Sequence, residues 1–392
     1  MNRGSSARTA HACCAGIVNR AVIANVTAIL FVPLMQVYGW SYGQAGLLTA
    51  VGFAAQTLAD VALLFLIDRA PCKLLALLAC GVSCAGLLFY GAVPLFFAPD
   101  AVFAGIAAAT AVFAFAGGML EVILSNVAER LPARLGDLFL LHTVYAWAQV
   151  AVSLLLLASL SLFGAKHWNL ALFALAAAPV AAGAMIARSE FPPRAPARPA
   201  RASFRPFYLL AVGAVFFGYG AEVVMNQWIS AFAADVFGFA AGGTLGCALF
   251  ALCLGVGGAF YFALLRRRGT LPLSVLAAAA LLSAGAYALA ALVSVPALAL
   301  ACAAACGLFV GVLSPGAMTA AGEALPHAGG WMLASLAVAQ DVGAAVLPAA
   351  AGAVSDVSSL QTAFLVSAAV PLLAALFLFF MHRARRAGQG RG

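Results

Sequence analysis

Charge is scarce in this chain. Lys, Arg, Asp and Glu make up 8% of its 392 residues against 65% hydrophobic, and the mean hydropathy is +1.08. A soluble fold of this length needs far more polar surface, so the lipid bilayer has to be its solvent. Other absences narrow the chemistry. No GxxxxGK[ST] occurs, so the chain has no visible means of hydrolysing ATP, and any work on a solute must draw on a gradient. HExxH and GxSxG are missing from the apolar stretches, which removes the common zinc-hydrolase and serine-hydrolase signatures, and no soluble sensor domain interrupts them. The nine cysteines form no CxxC unit, although Cys13 and Cys14 are adjacent. They support neither a disulfide framework nor a zinc site and read as buried, reduced, small hydrophobes. No metal and no other cofactor is expected.

What the chain has instead is apolar runs of about twenty residues or more, each long enough to cross roughly 30 Å of hydrocarbon as a helix. Twelve are legible, over 11–38, 43–67, 72–94, 99–129, 136–163, 168–188, 207–233, 239–265, 271–293, 296–323, 329–354 and 359–381. Outside these runs every Lys and Arg except Lys166 falls at a chain terminus or after an even-numbered run. By the positive-inside rule those segments are cytoplasmic, so both termini are expected inside, in a bacterial inner (plasma) membrane. The net charge of +8 then reflects topology and does not argue for nucleic acid. The first run is too long, and its flanks too poor in a small-residue cleavage site, to read as a removable signal peptide.

Between the sixth and seventh runs the chain reads SEFPPRAPARPARASFRP, dense in Pro and Arg and without helical apolar periodicity. The expected organisation is a six-helix bundle over 1–188, a cytoplasmic linker over 189–206 and a second six-helix bundle with a short basic tail over 207–392. The halves echo one another. VYGW at 37–40 is matched by VFGF at 236–239, and AERLP at 128–132 by GEALP at 322–326, at offsets of 199 and 194. Duplicated halves with a midplane site between them are the repeat architecture of secondary transporters.

With two six-helix halves, an intracellular strap and the loop IDRAPCK at 67–73, the chain resembles the major facilitator superfamily. Asp68, Arg69 and Lys73 match its loop motif, whose two glycines are Leu64 and Pro71 here; the resemblance implies that this loop latches the halves on the cytoplasmic side. AGGMLEVILSNVAERLP, LLHTVYAWAQV, GYGAEVVMNQWISAF and GGWMLASLAVAQDVG resemble the branch that includes fucose permease and other sugar:proton symporters. This implies an all-α, twelve-helix monomer that moves a small-molecule substrate with protons, and it implies proton coupling for Glu121, since the branch carries an acid in its fourth helix. The branch also carries an acid in helix one, where this chain has Asn19, Arg20 and Asn25.

A charge at bilayer depth costs about 2.5 to 3.5 kcal/mol on insertion scales, so each intramembrane ionisable residue has to face protein or water. Arg20, Asp60, Glu121 and His142 each lie roughly eight or nine residues from the cytoplasmic end of their helix, about 12 to 14 Å, and are expected to meet in one layer. Glu222 and Asp341 are the acids of the second half. Span five places His142, Tyr145, Gln149 and Ser153 on one stripe. Span two does so with Thr49, Gln56 and Asp60, and span seven with Tyr219, Glu222, Asn226 and Ser230. Asn25, Gln56, Tyr145, Trp147, Gln149, Tyr219, Asn226, Trp228 and Gln340 are the candidate substrate contacts, the amides for hydroxyl groups and the indoles for a sugar face. Two readings stand: these residues border a wet passage, or they only tie helices together. Trp40 and Trp168 read as interfacial anchors, Glu129 and Glu323 as partners of loop arginines, Ser314 to Gly316 as a kink, and Gly117, Gly118 and Gly255 to Gly258 as sites of close helix approach. Proton-linked efflux of a cationic compound is the alternative within transport, and a membrane receptor or enzyme is the alternative outside it.

Overall fold

The computed structural model describes residues 3–66, 69–128, 130–131, 138–192, 206–238, 240–269, 271–325 and 329–389. Asp68, Glu129 and most of the Pro/Arg-rich linker lie outside the described residues. The described residues contain helices and turns and no strand. Twelve spans are long and apolar enough to cross a membrane: span 1 Gly4–Tyr38, span 2 Tyr42–Leu63, span 3 Cys72–Phe96, span 4 Val102–Ala128, span 5 Leu140–Phe163, span 6 Ala165–Ala187, span 7 Pro206–Ala234, span 8 Leu245–Arg268, span 9 Leu273–Leu292, span 10 Pro296–Ala324, span 11 Ser335–Val357 and span 12 Leu360–Arg386. An even number of spans brings both chain ends to one face, called here the termini face. Large apolar side chains such as Leu58, Phe65, Leu78, Phe163, Leu281 and Leu292 stay exposed on the bundle exterior, as lipid contact requires.

Span 1 is longer than its apolar run predicts. Its helix begins at Arg3 because the Ser5 hydroxyl donates to the Glu190 carboxylate at 2.7 Å and the Thr9 hydroxyl to the Glu190 carbonyl at 2.6 Å, which supports a polar first turn against the start of the linker. The VYGW and VFGF echo has a conformational cause. Gly39 at φ +69° and Gly238 at φ +71° each stop the first helix of a half in the left-handed region that favours glycine, with N–H groups donating back to Met35 and Ala234. Span 10 breaks at Cys306 and again at Gly311–Val312, so Pro315 sits in the first turn of the segment Leu313–Ala324. The expected kink at Ser314 to Gly316 therefore falls just before it, where a proline in a first turn sacrifices no helical bond.

The halves repeat one another in packing. Span pairs 1 and 5, 2 and 4, 3 and 4, 3 and 6, 1 and 4, and 1 and 6 touch, and each has its counterpart six spans later. The halves meet along two long seams, span 2 against span 11 and span 5 against span 8, and more briefly where span 1 meets span 7. Trp168, expected at an interface with lipid, is 1% exposed and packs edge-on to Tyr90 at 5.6 Å, because span 6 turns it inward against span 3. Trp40 stacks on Tyr38 and meets Phe103 edge-on.

Glycine sets the closest approach of spans 3 and 4. A Cβ on Gly86 would lie 2.8 Å from the Cβ and 2.9 Å from the backbone nitrogen of Phe113. Gly86→Val is expected to push these spans apart and cost about 1 to 3 kcal/mol, read as a lower thermal unfolding midpoint in detergent.

Candidate functional site

Arg20, Asp60, Glu121 and His142, expected in one layer, divide among three contacts, two of which take their acid from the second half. Arg20 of span 1 and Glu121 of span 4 form an ion pair, with Nη2 2.8 Å and Nε 3.0 Å from Oε2. Glycines bring span 4 close to both neighbours: a Cβ on Gly117 would stand 2.9 Å from Ile23 Cγ2 of span 1, and one on Gly118 would stand 2.7 Å from the Gln56 carbonyl oxygen of span 2. Asp60 stands beside Asp341 across the seam, one helical turn beyond the Gln56 amide that donates to Asp341 at 2.7 Å. His142 faces Glu222 across the other seam at 3.8 Å and stacks on Tyr145.

Glu121 is the hub. Its Oε2 takes the guanidinium and a longer donation from Gln56 at 3.4 Å, and its Oε1 takes the Gln340 amide of span 11 at 3.2 Å. Gln340 is held in turn by the Ser314 hydroxyl at 2.5 Å, and Gln56 donates to Asp341 at 2.7 Å. The Arg20 side chain is 3% exposed and that of Glu121 is 28% exposed, so the carboxylate alone of the two reaches open space.

That space is a cavity of about 100 Å³ between the halves, lined by Arg20, Glu121, His142, Tyr145, Tyr219 and Gln340 with Ser125, Ser314 and four apolar side chains. Ile17, Ser125, Leu141 and Met318 lie nearer the termini face along their helices than the charged layer does, so the cavity extends toward that face. Its volume holds a few waters; pockets for drug-sized ligands run to roughly 300 to 1,000 Å³, so an organic solute requires it to widen.

Away from the cavity the polar stripes tie the halves together. Asn226 donates to Asn25 at 2.7 Å and accepts from Gln149 at 2.5 Å, and Asn25 donates to the Tyr145 hydroxyl at 3.2 Å. Thr49 approaches Gln227 at 3.4 Å. Gln56 and Gln227 border a separate void of about 30 Å³, room for a single water. Near the face remote from the termini, Trp228 is 1% exposed, donates to the Pro348 carbonyl at 2.9 Å and packs against Phe31 and Tyr42. Trp228 thus plugs the seam between the halves. Trp147 is 45% exposed on the outer side of span 5 and covers Gly255 of span 8.

Of the nine candidate substrate contacts, Tyr145, Tyr219 and Gln340 line the cavity; Asn25, Gln56, Gln149 and Asn226 bond elsewhere, Trp228 is buried in the seam and Trp147 lies on the bundle exterior. Ser314 and Ser125 line it without having been singled out as contacts. Ser314 carried a signal, a hydroxyl beside a helix-breaking proline, that reads as a kink alone. In the loop motif, Lys73 donates to the carbonyls of Ala187 and Ser189, which ties span 3 to the end of span 6 inside one half. Arg69 is described without an ion pair being formed to a described acid, and Asp68 lies outside the described residues. Glu323 pairs with Arg385 at 2.9 Å on the termini face.

The arrangement, twelve apolar spans in two pseudo-symmetric bundles with a polar cavity between them, is the major facilitator fold of a multi-pass membrane protein. Among solved structures the chain is similar to FucP, a Major Facilitator Superfamily transporter in its outward conformation, with a TM-score of 0.73 and 19% identity over 96% of this chain and 99% of that one. It is also similar to a bacterial homolog of the human lysosomal transporter Spinster, inward-facing and occupied, with a TM-score of 0.69 and 14% identity over 98% of each chain. A variant of the E. coli fucose:proton symporter FucP matches with a TM-score of 0.66 and 19% identity over 96% and 99%. No family model and no curated protein matches this chain.

The unequal exposure of the central pair orders its mutants. Glu121→Leu strands a guanidinium in a dry site and is expected to cost about 3 kcal/mol or more, whereas Arg20→Leu leaves a carboxylate with access to cavity water and costs less. The double variant should recover much of the loss, read from unfolding midpoints of the three proteins in one detergent.

Proposed function

We propose that this chain is a secondary transporter that moves a small polar solute by alternating access, as a proton-coupled symporter with a preference for sugar-like, hydroxyl-rich substrates. The observation that carries the reading is Glu121, a carboxylate at mid-membrane depth that reaches the cavity while partners from both halves hold it. A proton arriving on Glu121 weakens its hold on Arg20 and on Gln340 together. It thereby changes a bond inside one half and a bond between halves, which is what coupling of protonation to rocking requires.

The cavity lining supports a neutral polar cargo. Tyr145, Tyr219, Ser314, Gln340 and His142 offer hydroxyl, amide and imidazole groups beside Pro315 and Met318, a mixture that suits a ring with polar edges. The amides of Asn25, Gln149 and Asn226 now bond to one another, and they are positioned to exchange those bonds for substrate hydroxyls when the halves move. With both termini in the cytoplasm, the cavity is the inward-facing one.

A second reading rests on the charge balance. Asp60, Glu121, Glu222 and Asp341 are four acids facing one guanidinium and one imidazole, an excess that also suits efflux of a cationic compound against protons. Vesicles reconstituted with the protein and given an imposed pH gradient separate the two: accumulation with the proton flux establishes symport, and expulsion against it establishes antiport. A thermal-shift screen of sugars, acids, nucleosides and cationic drugs chooses the cargo to test, because any binder of the folded state raises apparent stability. In the symport case Glu121→Gln is expected to reduce gradient-driven accumulation to the level of protein-free vesicles while sparing substrate exchange between equilibrated compartments. Accumulation at the wild-type level in this variant would remove Glu121 from coupling.

A further inference from the structure

Spans 2 and 11 run antiparallel along the seam, and their contacts begin at the face remote from the termini. A Cβ on Gly43 would strike Asp356, Gly46 lies against the Ala349 backbone, and Gly352 against the Tyr42 carbonyl. The strip continues through Gln56 to Asp341 and ends, one helical turn further along span 2, with Asp60 beside Asp341. Both acids are buried, Asp60 at 3% and Asp341 at 1% exposure, and neither lines the cavity.

The donors at this point are few. Gln56 occupies Asp341 Oδ1 at 2.7 Å. Asp341 Oδ2 and Asp60 Oδ1 are buried and have no hydrogen-bond donor. Ionised carboxylates only accept, so two of them side by side in a buried place repel; a hydrogen bond between them forms when one carries a proton, and it is then charge-assisted. The charged groups that act on the pair from neighbouring elements are Arg20 of span 1 and Glu121 of span 4. These two neutralise each other at 2.8 Å. Span 7 contributes Glu222 and Tyr219, which act on Arg20 and Glu121, and span 10 contributes the uncharged Ser314 through Gln340.

We infer that Asp60 and Asp341 form a proton-dependent clasp between the two halves: with one proton in the pair, spans 2 and 11 are held together along the remote face, and without it that face parts. The inference rests on the transporter reading and adds a second protonation site to it, outside the cavity. Gln56 joins the two sites, since the same amide nitrogen that donates to Asp341 lies 3.4 Å from Glu121. A change at Glu121 therefore reaches the clasp through one side chain.

The test needs neither substrate nor gradient, so its outcome is separable from that of the vesicle assay. Spin labels carried on genetically encoded side chains at Ser41 and Ser358, both exposed on the remote face, report the seam distance in the full chain. In the wild type, raising pH from about 5 to about 9 is expected to lower the ratio of near to far populations by roughly tenfold or more, the scale of a typical coupling between a ligand and a conformational change. Asp60→Asn and Asp341→Asn each replace the shared proton with an amide donor and should stay near at both pH values. Asp60→Ala should lose the pH response and shift toward the far population. A wild type without a pH response overturns the clasp, and so does an undiminished response in both Asn variants. Closure driven by sodium at fixed high pH also overturns it, in favour of a bound metal cation. Should the Asp variants fail to fold, infrared spectra of the wild type decide: a protonated-carboxyl band that is lost over the same pH range as the near population supports the clasp, and a near population at low pH without such a band overturns it.

Discussion

A guanidinium in the middle of a membrane has to have a counter-charge, and the rest of the polar layer follows from how Arg20 finds one. Alone at that depth it costs about 2.5 to 3.5 kcal/mol even on the gentlest scale. Glu121 answers it at 2.8 Å, and Gly117 of span 4 leaves room for Ile23 of span 1 one turn beyond Arg20. The carboxylate still has lone pairs to fill, so besides facing the cavity it collects Gln56 from one helix and Gln340 from the opposite half. Hydrogen bonds to a charged group are worth about 1.5 to 3 kcal/mol each, more than the neutral bonds around them. The ion pair is thus the fixed centre on which the weaker contacts are organised.

The seam is built differently from that centre. Across it run amide to amide, amide to carboxylate, acid to acid and imidazole to carboxylate contacts, joining Asn25, Gln149 and Asn226, Gln56 and Asp341, Asp60 and Asp341, and His142 and Glu222. Polar bonds between membrane helices average about 0.6 kcal/mol in measured cycles, so a seam of this kind can open and re-form one small step at a time. The apolar work of closing the remote face falls to Trp228, wedged against Phe31, Tyr42 and the backbone of span 11. A rigid half with a strong internal ion pair, facing its twin across a weakly bonded seam, is the mechanical condition for two states of similar energy.

Much of this was legible in the residues themselves. Hydrophobic run length announces a spanning helix because hydrocarbon leaves backbone polar groups no other partner, and all twelve runs are helices long and apolar enough to span. Intramembrane charge announces a cluster because it cannot stand alone, and Arg20, Glu121, Asp60, His142, Glu222 and Asp341 all find polar or charged neighbours. The partners were harder to read. Asp60 and His142 share a depth with Arg20, yet depth fixes one coordinate and leaves rotation about the helix free, and it is rotation that sends Asp60 to Asp341 and His142 to Glu222. The indoles point elsewhere for a related reason: Trp147 and Trp228 each stand two positions from the nearest members of their polar stripes, and two positions turn a helical side chain by about 200°.

Composition and periodicity by themselves determined that this chain lives in a bilayer, crosses it twelve times and carries ions where ions are costly, because each of these is a property of single helices and their solvent. Only the tertiary structure decided which acid meets which cation, which amides close the seam and which hydroxyls border the cavity. Those depend on how two six-helix halves are rotated and registered against each other, and that is settled by packing between helices distant in sequence.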